Sequence, residues 1–432
     1  MAWHLQYIGR ALKLRKGESG TTSFKIIPDG DVEKIQVSLV ENQNGLEVNI
    51  SPSEVQLDGS TIVTVNVTVK VPINTRYKII WILKLEFKGE TQTIYSYIGI
   101  LPVNKNSHKV VLREAEGSED GYWVGAPFII KFKDNLYIGY RKRNPTERGH
   151  RLEIAKSPLD RLDFKVIKSW SKDEFGAESF EEAEMIPKPD GSGVLFLFTM
   201  DIGDFNIYKT EAPTPEELEL SGATELISNA KDPVVLYDED KSFYVLGYSN
   251  RLNTQHDPTI KTTTDWTSFT TKTSSLRYDK LQPSPNNNQW TIYNVHLGDV
   301  HKVDSYYVFF YDGGQVSGVS NQSLGICITK DLVNWIDLTP DEPIWKGYGR
   351  GGFRYVSAYC DDERYILIAE EEQEDWSDDL VIYYDLSSEF KQNPLKEMYD
   401  ILLAFSYSFL GFILIMKWVK SRVKEGLEHW RT

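Results

Sequence analysis

Ala230-Lys231-Asp232-Pro233-Val234-Val235-Leu236 runs into an acidic turn, Asp238-Glu239-Asp240, and then into the aromatic strand Phe243 to Tyr248. The same order of apolar strand, acidic turn and aromatic strand occurs five times between about Trp123 and Tyr384. The other first strands are Ala126-Pro127-Phe128-Ile129-Ile130, Glu182-Ala183-Glu184-Met185-Ile186, Asp299-Val300-His301-Lys302-Val303 and Arg354-Tyr355-Val356-Ser357-Ala358. Their turns carry Lys133-Asp134-Asn135, Pro189-Asp190-Gly191, Asp304-Ser305 and Cys360-Asp361-Asp362-Glu363. Their second strands are Leu136 to Tyr140, Val194 to Phe198, Tyr306 to Tyr311 and Tyr365 to Ala369. Small sheets repeated in this way predict a radial arrangement, a five-bladed β-propeller over 121–386, whose first strands all begin beside one channel. Residues remote in sequence then meet at one mouth.

Ahead of the repeats, residues 1–105 alternate apolar and polar in Leu46 to Ile50 and Thr61 to Val69, with further strands over Tyr77 to Phe87 and Thr91 to Leu101. Period-two strands between Gly, Asn, Asp and Pro turns predict an immunoglobulin-like β-sandwich, without the cysteine and tryptophan signature of antibody domains. Residues 106–120, with Glu114, Glu116, Glu119 and Asp120, read as a linker. The fold class expected is all-β.

Composition narrows the function. The 432 residues are 41% hydrophobic and 12% aromatic, enough for a large core and suited to stacking on sugars. A net charge of −15 argues against a nucleic-acid partner, which needs a basic face. Cys327 and Cys360 are the only cysteines, so no disulfide framework holds the fold; two free thiols are expected, with a single bridge as the alternative.

The tail differs. Residues 387–432 form a polar connector and then an apolar stretch, Ile401 to Val419, about long enough for a bilayer-spanning helix. Lys417, Lys420, Arg422, Lys424 and Arg431 would keep the C-terminus cytoplasmic and the body extracellular. The opening residues, with Arg10, Lys13, Arg15 and Lys16, show no secretory signal, which opposes that placement; a helix docked on the protein and a soluble cytoplasmic chain are the alternatives.

Leu324-Gly325-Ile326-Cys327-Ile328-Thr329-Lys330-Asp331-Leu332-Val333-Asn334-Trp335 resembles the S-x-D-x-x-x-W strand end of five-bladed propeller glycosidases, and Asp232-Pro233 resembles their Asp-Pro strand starts. The relatives are the arabinanase and xylosidase, invertase and mannoside phosphorylase families, over about 120 to 385. The resemblance implies glycan processing by hydrolysis or phosphorolysis of a glycosidic bond.

Aligning the repeats puts Ala126, Glu182, Asp232, Asp299 and Arg354 at the channel mouth. Glycoside cleavage needs two carboxyl groups flanking the bond, and neighbouring acids push their pKa values apart. Phe180-Glu181-Glu182-Ala183-Glu184 resembles the phosphorylase strand start that carries the proton donor, which implies Glu182 as the acid. Asp232 and Asp299 would set charge or activate water; by the arabinanase pattern Asp299 would instead take the donor's place. Trp123, Arg141, His301 and Arg354 are expected to hold substrate, and Glu181 is a further candidate with pairing as its alternative. Ala126 departs from the families that carry a base or nucleophile Asp there. A phosphorylase lacks that base, and Arg141, Lys142 and Arg143, with His301 and Arg354, could then hold the anion. No metal or cofactor is expected, since no ligand spacing supports one. A carbohydrate is the expected partner; a non-catalytic binding propeller at a membrane surface is the rival reading.

Overall fold

The computed structural model describes residues 3–30, 32–42, 45–250, 257–276, 281–282, 290, 294–314, 323–346 and 352–386. Nearly all regular structure among them is β-strand, with two short 3-10 turns at Lys172–Phe175 and Pro215–Glu217. Residues Met1–Asp385 form one unit and Leu386–Thr432 a second.

The first ~100 residues fold as two sheets. One pairs Ser19–Pro28 with Val63–Lys70, flanked by Trp3–Leu5 and Glu47–Ser51. The other runs Gly9–Lys13, Thr93–Leu101, Trp81–Lys88, Lys34–Asn42 and Glu54–Gln56. Alternation decides the packing: Phe24, Ile26, Val65 and Val67 from one sheet and Val37, Leu83, Leu85 and Phe87 from the other share a single buried core. That core continues into Val308, Phe310, Ile326 and Leu367 of the repeats.

The repeats form successive antiparallel meanders. Their first strands are Trp123–Phe132, Ser179–Pro187, Ala230–Asp238, Asn294–Val303 and Phe353–Cys360. Each packs on the next, and the last packs back on the first. These five inner strands therefore close a ring. Buried on both faces, the second strands read as continuous apolar runs, as in Val194–Asp201.

The residues read as a linker supply a strand of their own. His108–Arg113 pairs antiparallel with Asp378–Leu386, the third strand of the last meander, with His108 opposite Tyr384. A strand that precedes the first meander thus adds to the last one.

The corner resembling the glycosidase strand end has a physical basis. Thr329 Oγ1 accepts the N–H of Leu332 at 3.0 Å, and Asp331 Oδ1 accepts those of Val333 and Asn334 at 2.9 and 2.8 Å. This turns the chain and delivers Trp335, 2% exposed, to the core, where its Nε1–H donates to Thr273 Oγ1. Thr263 and Asp265 repeat the arrangement one meander earlier.

Membrane attachment, expected from the tail, is corrected. No helix among the described residues is long and apolar enough to cross a membrane, and 401–419 lie outside the described residues. An apolar run shows that a segment seeks burial, not what buries it. The extracellular body with a cytoplasmic C-terminus is accordingly withdrawn. The thiols of Cys327 and Cys360 are free.

Candidate functional site

All five inner strands bulge near their starts, each inserting one extra residue against its partner. Ala126, Asp232 and Tyr355 sit at these bulges with φ of 52°, 57° and 51°, a left-handed conformation that is costly for residues with a Cβ. The bulge re-aims the side chains around it. Gly298 marks the fourth bulge, where a Cβ would come within 2.8 Å of the Val356 backbone N.

Three side chains meet here. Glu182, Asp232 and His296 are each at most 1% exposed, with ligand-type atoms all within 4.8 Å of one another. His296 Nε2 lies 3.0 Å from Asp232 Oδ2 and 3.6 Å from Glu182 Oε2, while Nδ1 lies 3.2 Å from Asp312 Oδ1. Lys231 Nζ reaches Asp232 Oδ2 at 2.7 Å, and Thr199 Oγ1 accepts the Asp232 N–H at 3.0 Å. Burial, then the neighbouring Asp232, Glu184 and Asp312, push the Glu182 carboxyl well above the usual range. Burial opposes charge on His296, but Asp312 and Asp232 outweigh it and raise the imidazole to about 9.

The spacing of Glu182, Asp232 and His296 would suit a cation, yet the residues fit one poorly. The Lys231 ammonium already covers Asp232 Oδ2 at 2.7 Å, and His296 Nε2 faces that same oxygen at 3.0 Å, so the oxygen a cation would need is taken. The cluster is read as a charge network.

A basic wall stands beside it. Arg141, 2% exposed, lies 3.6 Å from Glu181, and its Nε and Nη1 lack hydrogen-bond partners. Arg148 also pairs with Glu181. Burial would raise the Glu181 carboxyl, but Arg141, Lys231 and Arg148 overcome it and hold Glu181 ionised. Arg354 donates to Glu370 Oε1 at 2.7 Å and to Asp378 Oδ2 at 2.6 Å. Trp123 carries the guanidinium carbons of Arg143 and Arg354 at 4.0 and 4.4 Å from its ring centre. Ala126 offers its N–H to Glu370 Oε2 at 3.0 Å.

Of the residues singled out from sequence, Glu182, Asp232, Glu181 and Arg141 come together in this buried cluster. Asp299 does not join the Glu182 cluster. Its bulge sets it level with Ala183, Val234 and Ser357, and its carboxylate accepts from Ser357 Oγ, Ala358 N–H and Val300 N–H at 2.8, 2.9 and 2.7 Å. His301 pairs with that same carboxylate at 2.8 Å. Arg354 and Trp123 are buried and engaged with protein groups. His296, Asp312, Lys231 and Tyr355 were missed. Pairing of His296 with Asp312 across the hairpin would have been found by aligning the repeats on the bulge rather than on the acids. A 620 Å³ cavity lined by Tyr97, Tyr306 and Trp335 shares no residue with the cluster.

No family model matches the chain, and no curated protein matches it. Solved structures similar to it include glycoside hydrolases and a phosphorylase. A thermostable family-43 glycoside hydrolase is 15% identical, covering 63% of this chain and 92% of its own, with a TM-score of 0.44. A glycosyl hydrolase from Bacteroides ovatus is 12% identical, covering 65% and 92%, with a TM-score of 0.46. The β-1,2-mannobiose phosphorylase from Listeria innocua, solved with β-1,2-mannobiose, is 11% identical, covering 67% and 94%, with a TM-score of 0.45.

Proposed function

We propose that the chain is a five-bladed propeller behind an immunoglobulin-like sandwich, and that it cleaves a glycosidic bond at the channel mouth with Glu182 as proton donor. One observation carries this reading: the buried Glu182 carboxyl, which burial and then Asp232 push well above the usual range, stands beside Asp232, which Lys231 and His296 flank at 2.7 and 3.0 Å. Glu182 gives its proton to the glycosidic oxygen as the C1–O bond breaks, so the leaving sugar departs as an alcohol. Asp232 supplies the negative charge that keeps Glu182 a proton carrier and faces the cationic transition state.

The acceptor of the sugar distinguishes two outcomes. Water would have to lose a proton to a base, and Ala126 stands where the related families carry one. Phosphate needs no base, and the buried Nη1 of Arg141, which lacks a hydrogen-bond partner while Nε faces Glu181, favours it as the acceptor, giving a sugar phosphate. The test is incubation with aryl glycosides and mannose-, arabinose- and xylose-based oligosaccharides, with and without phosphate, beside Glu182→Gln and Asp232→Asn. Turnover lost by about 10²–10⁴-fold in Glu182→Gln is the expected result. Retained glycan binding with no turnover in any arm would favour the non-catalytic carbohydrate-binding reading.

A further inference from the structure

His296 has carboxylates at both ring nitrogens. A neutral imidazole carries one N–H, so one carboxylate would face a lone pair; only the doubly protonated ring suits both partners. Asp312 is itself fixed, since its Oδ1 also accepts the Tyr355 N–H at 3.1 Å, and the Tyr355 ring meets the imidazole edge-on at 4.6 Å. The charges then alternate along one line: Asp312, His296, Asp232, Lys231.

We propose that His296 is a positioning residue, a cationic strut that Asp312 anchors and that holds Asp232 ionised beside Glu182. The proposal rests on the reading of Glu182 as proton donor only for its effect on rate; the strut itself stands on geometry. The charged and titratable groups around the ring are Glu181 and Glu182 on the second inner strand, Lys231 and Asp232 on the third, Asp312 on the paired strand, and Arg354 and Tyr355 on the fifth, with Arg141 behind Tyr355. Without the imidazolium, Asp232 loses one of its two cations and takes up a proton at higher pH. The two carboxyls then share protons and the division between them is lost.

The test has two arms. Proton NMR of the seven histidines of the whole chain, with His296 assigned by its disappearance in His296→Gln, follows the ring directly. The expected signal stays in the protonated form through about pH 7.5, and in Asp312→Asn it titrates at least about one unit lower. In the second arm, the acid limb of the kcat/KM profile of His296→Gln moves up by about one unit or more, with KM nearly unchanged. A His296 signal titrating near 6.5 in the unmodified protein would overturn the strut, as would saturable binding of calcium, manganese or zinc abolished by His296→Gln. If His296→Gln does not fold, the Asp312→Asn titration decides. If no substrate turns over, the NMR arm still stands, so failure of the strut and failure of the glycosidase reading are distinguishable.

Discussion

Asp331→Ala tests whether the capped corner, rather than the tryptophan alone, holds the fourth meander. The carboxylate accepts two backbone N–H groups, of Val333 and Asn334, together with the Asn334 Nδ2–H at 2.7 Å and the Thr329 hydroxyl at 3.1 Å. Val333 is 55% exposed, so the freed N–H groups regain water and no full desolvation penalty applies. Two backbone bonds at about 0.5–1.5 kcal/mol each give a loss of about 1–3 kcal/mol. Asp331→Asn keeps an acceptor without the charge and should lose roughly half as much. Partial burial opposes ionisation of Asp331, but these donors outweigh it and draw the carboxyl down to about 2. A depressed carboxyl stabilises the fold above its unfolded pKa, and that contribution fades as pH falls through the folded value. The Asp331→Ala penalty, read as a urea midpoint shift for the whole chain, should therefore shrink between about pH 4 and about pH 2. An Asp331→Ala midpoint equal to that of the unmodified protein at neutral pH, or a penalty that does not change with acid, refutes the argument.

Three further outcomes follow from buried groups. Arg354→Met strands Glu370 and Asp378 in the interior and should destabilise by about 3–5 kcal/mol in thermal or urea unfolding; a change confined to substrate affinity would return Arg354 to the binding role expected from sequence. Glu182 has its folded pKa raised, so its contribution is complete below the ordinary carboxyl pKa and is lost as pH rises through the folded value. Glu182→Gln, which cannot ionise, should gain stability relative to the unmodified protein with rising pH, and a melting-temperature series across pH that runs parallel for both would contradict this. Burial pushes the Cys327 thiol well up and the Cys360 thiol to about 12, so native protein should react slowly with Ellman's reagent and both thiols should appear only on unfolding.

The repeats were legible because each encodes its own strand order in period, turn and aromatic content, and none of that depends on distant residues. The site was legible only as far as the register was. A bulge adds one residue to a strand without leaving a fixed composition, so Asp299 looked equivalent to Glu182 and Asp232 when it lies one residue further in than the first and two further than the second. His296 looked like a strand residue because its value comes from Asp312 across the hairpin and Asp232 on the neighbouring sheet. Arg354 and Trp123 looked free for substrate because Glu370 lies just past the expected second strand, Tyr365 to Ala369, and Asp378 lies on a further strand whose pairing no local pattern announces. The strand His108–Arg113 escaped notice for the same reason, its partner lying some 270 residues on.

That distant partnership has a consequence for how the protein is made. During synthesis His108–Arg113 leaves the ribosome long before Asp378–Leu386 exists, and the intervening meanders can gather only as an open arc. Until translation reaches the far end, both rims of the arc expose unpaired backbone to any neighbouring chain. A nascent chain stalled before residue 378 should therefore be a chaperone client and prone to aggregate, however well its early sheets have formed.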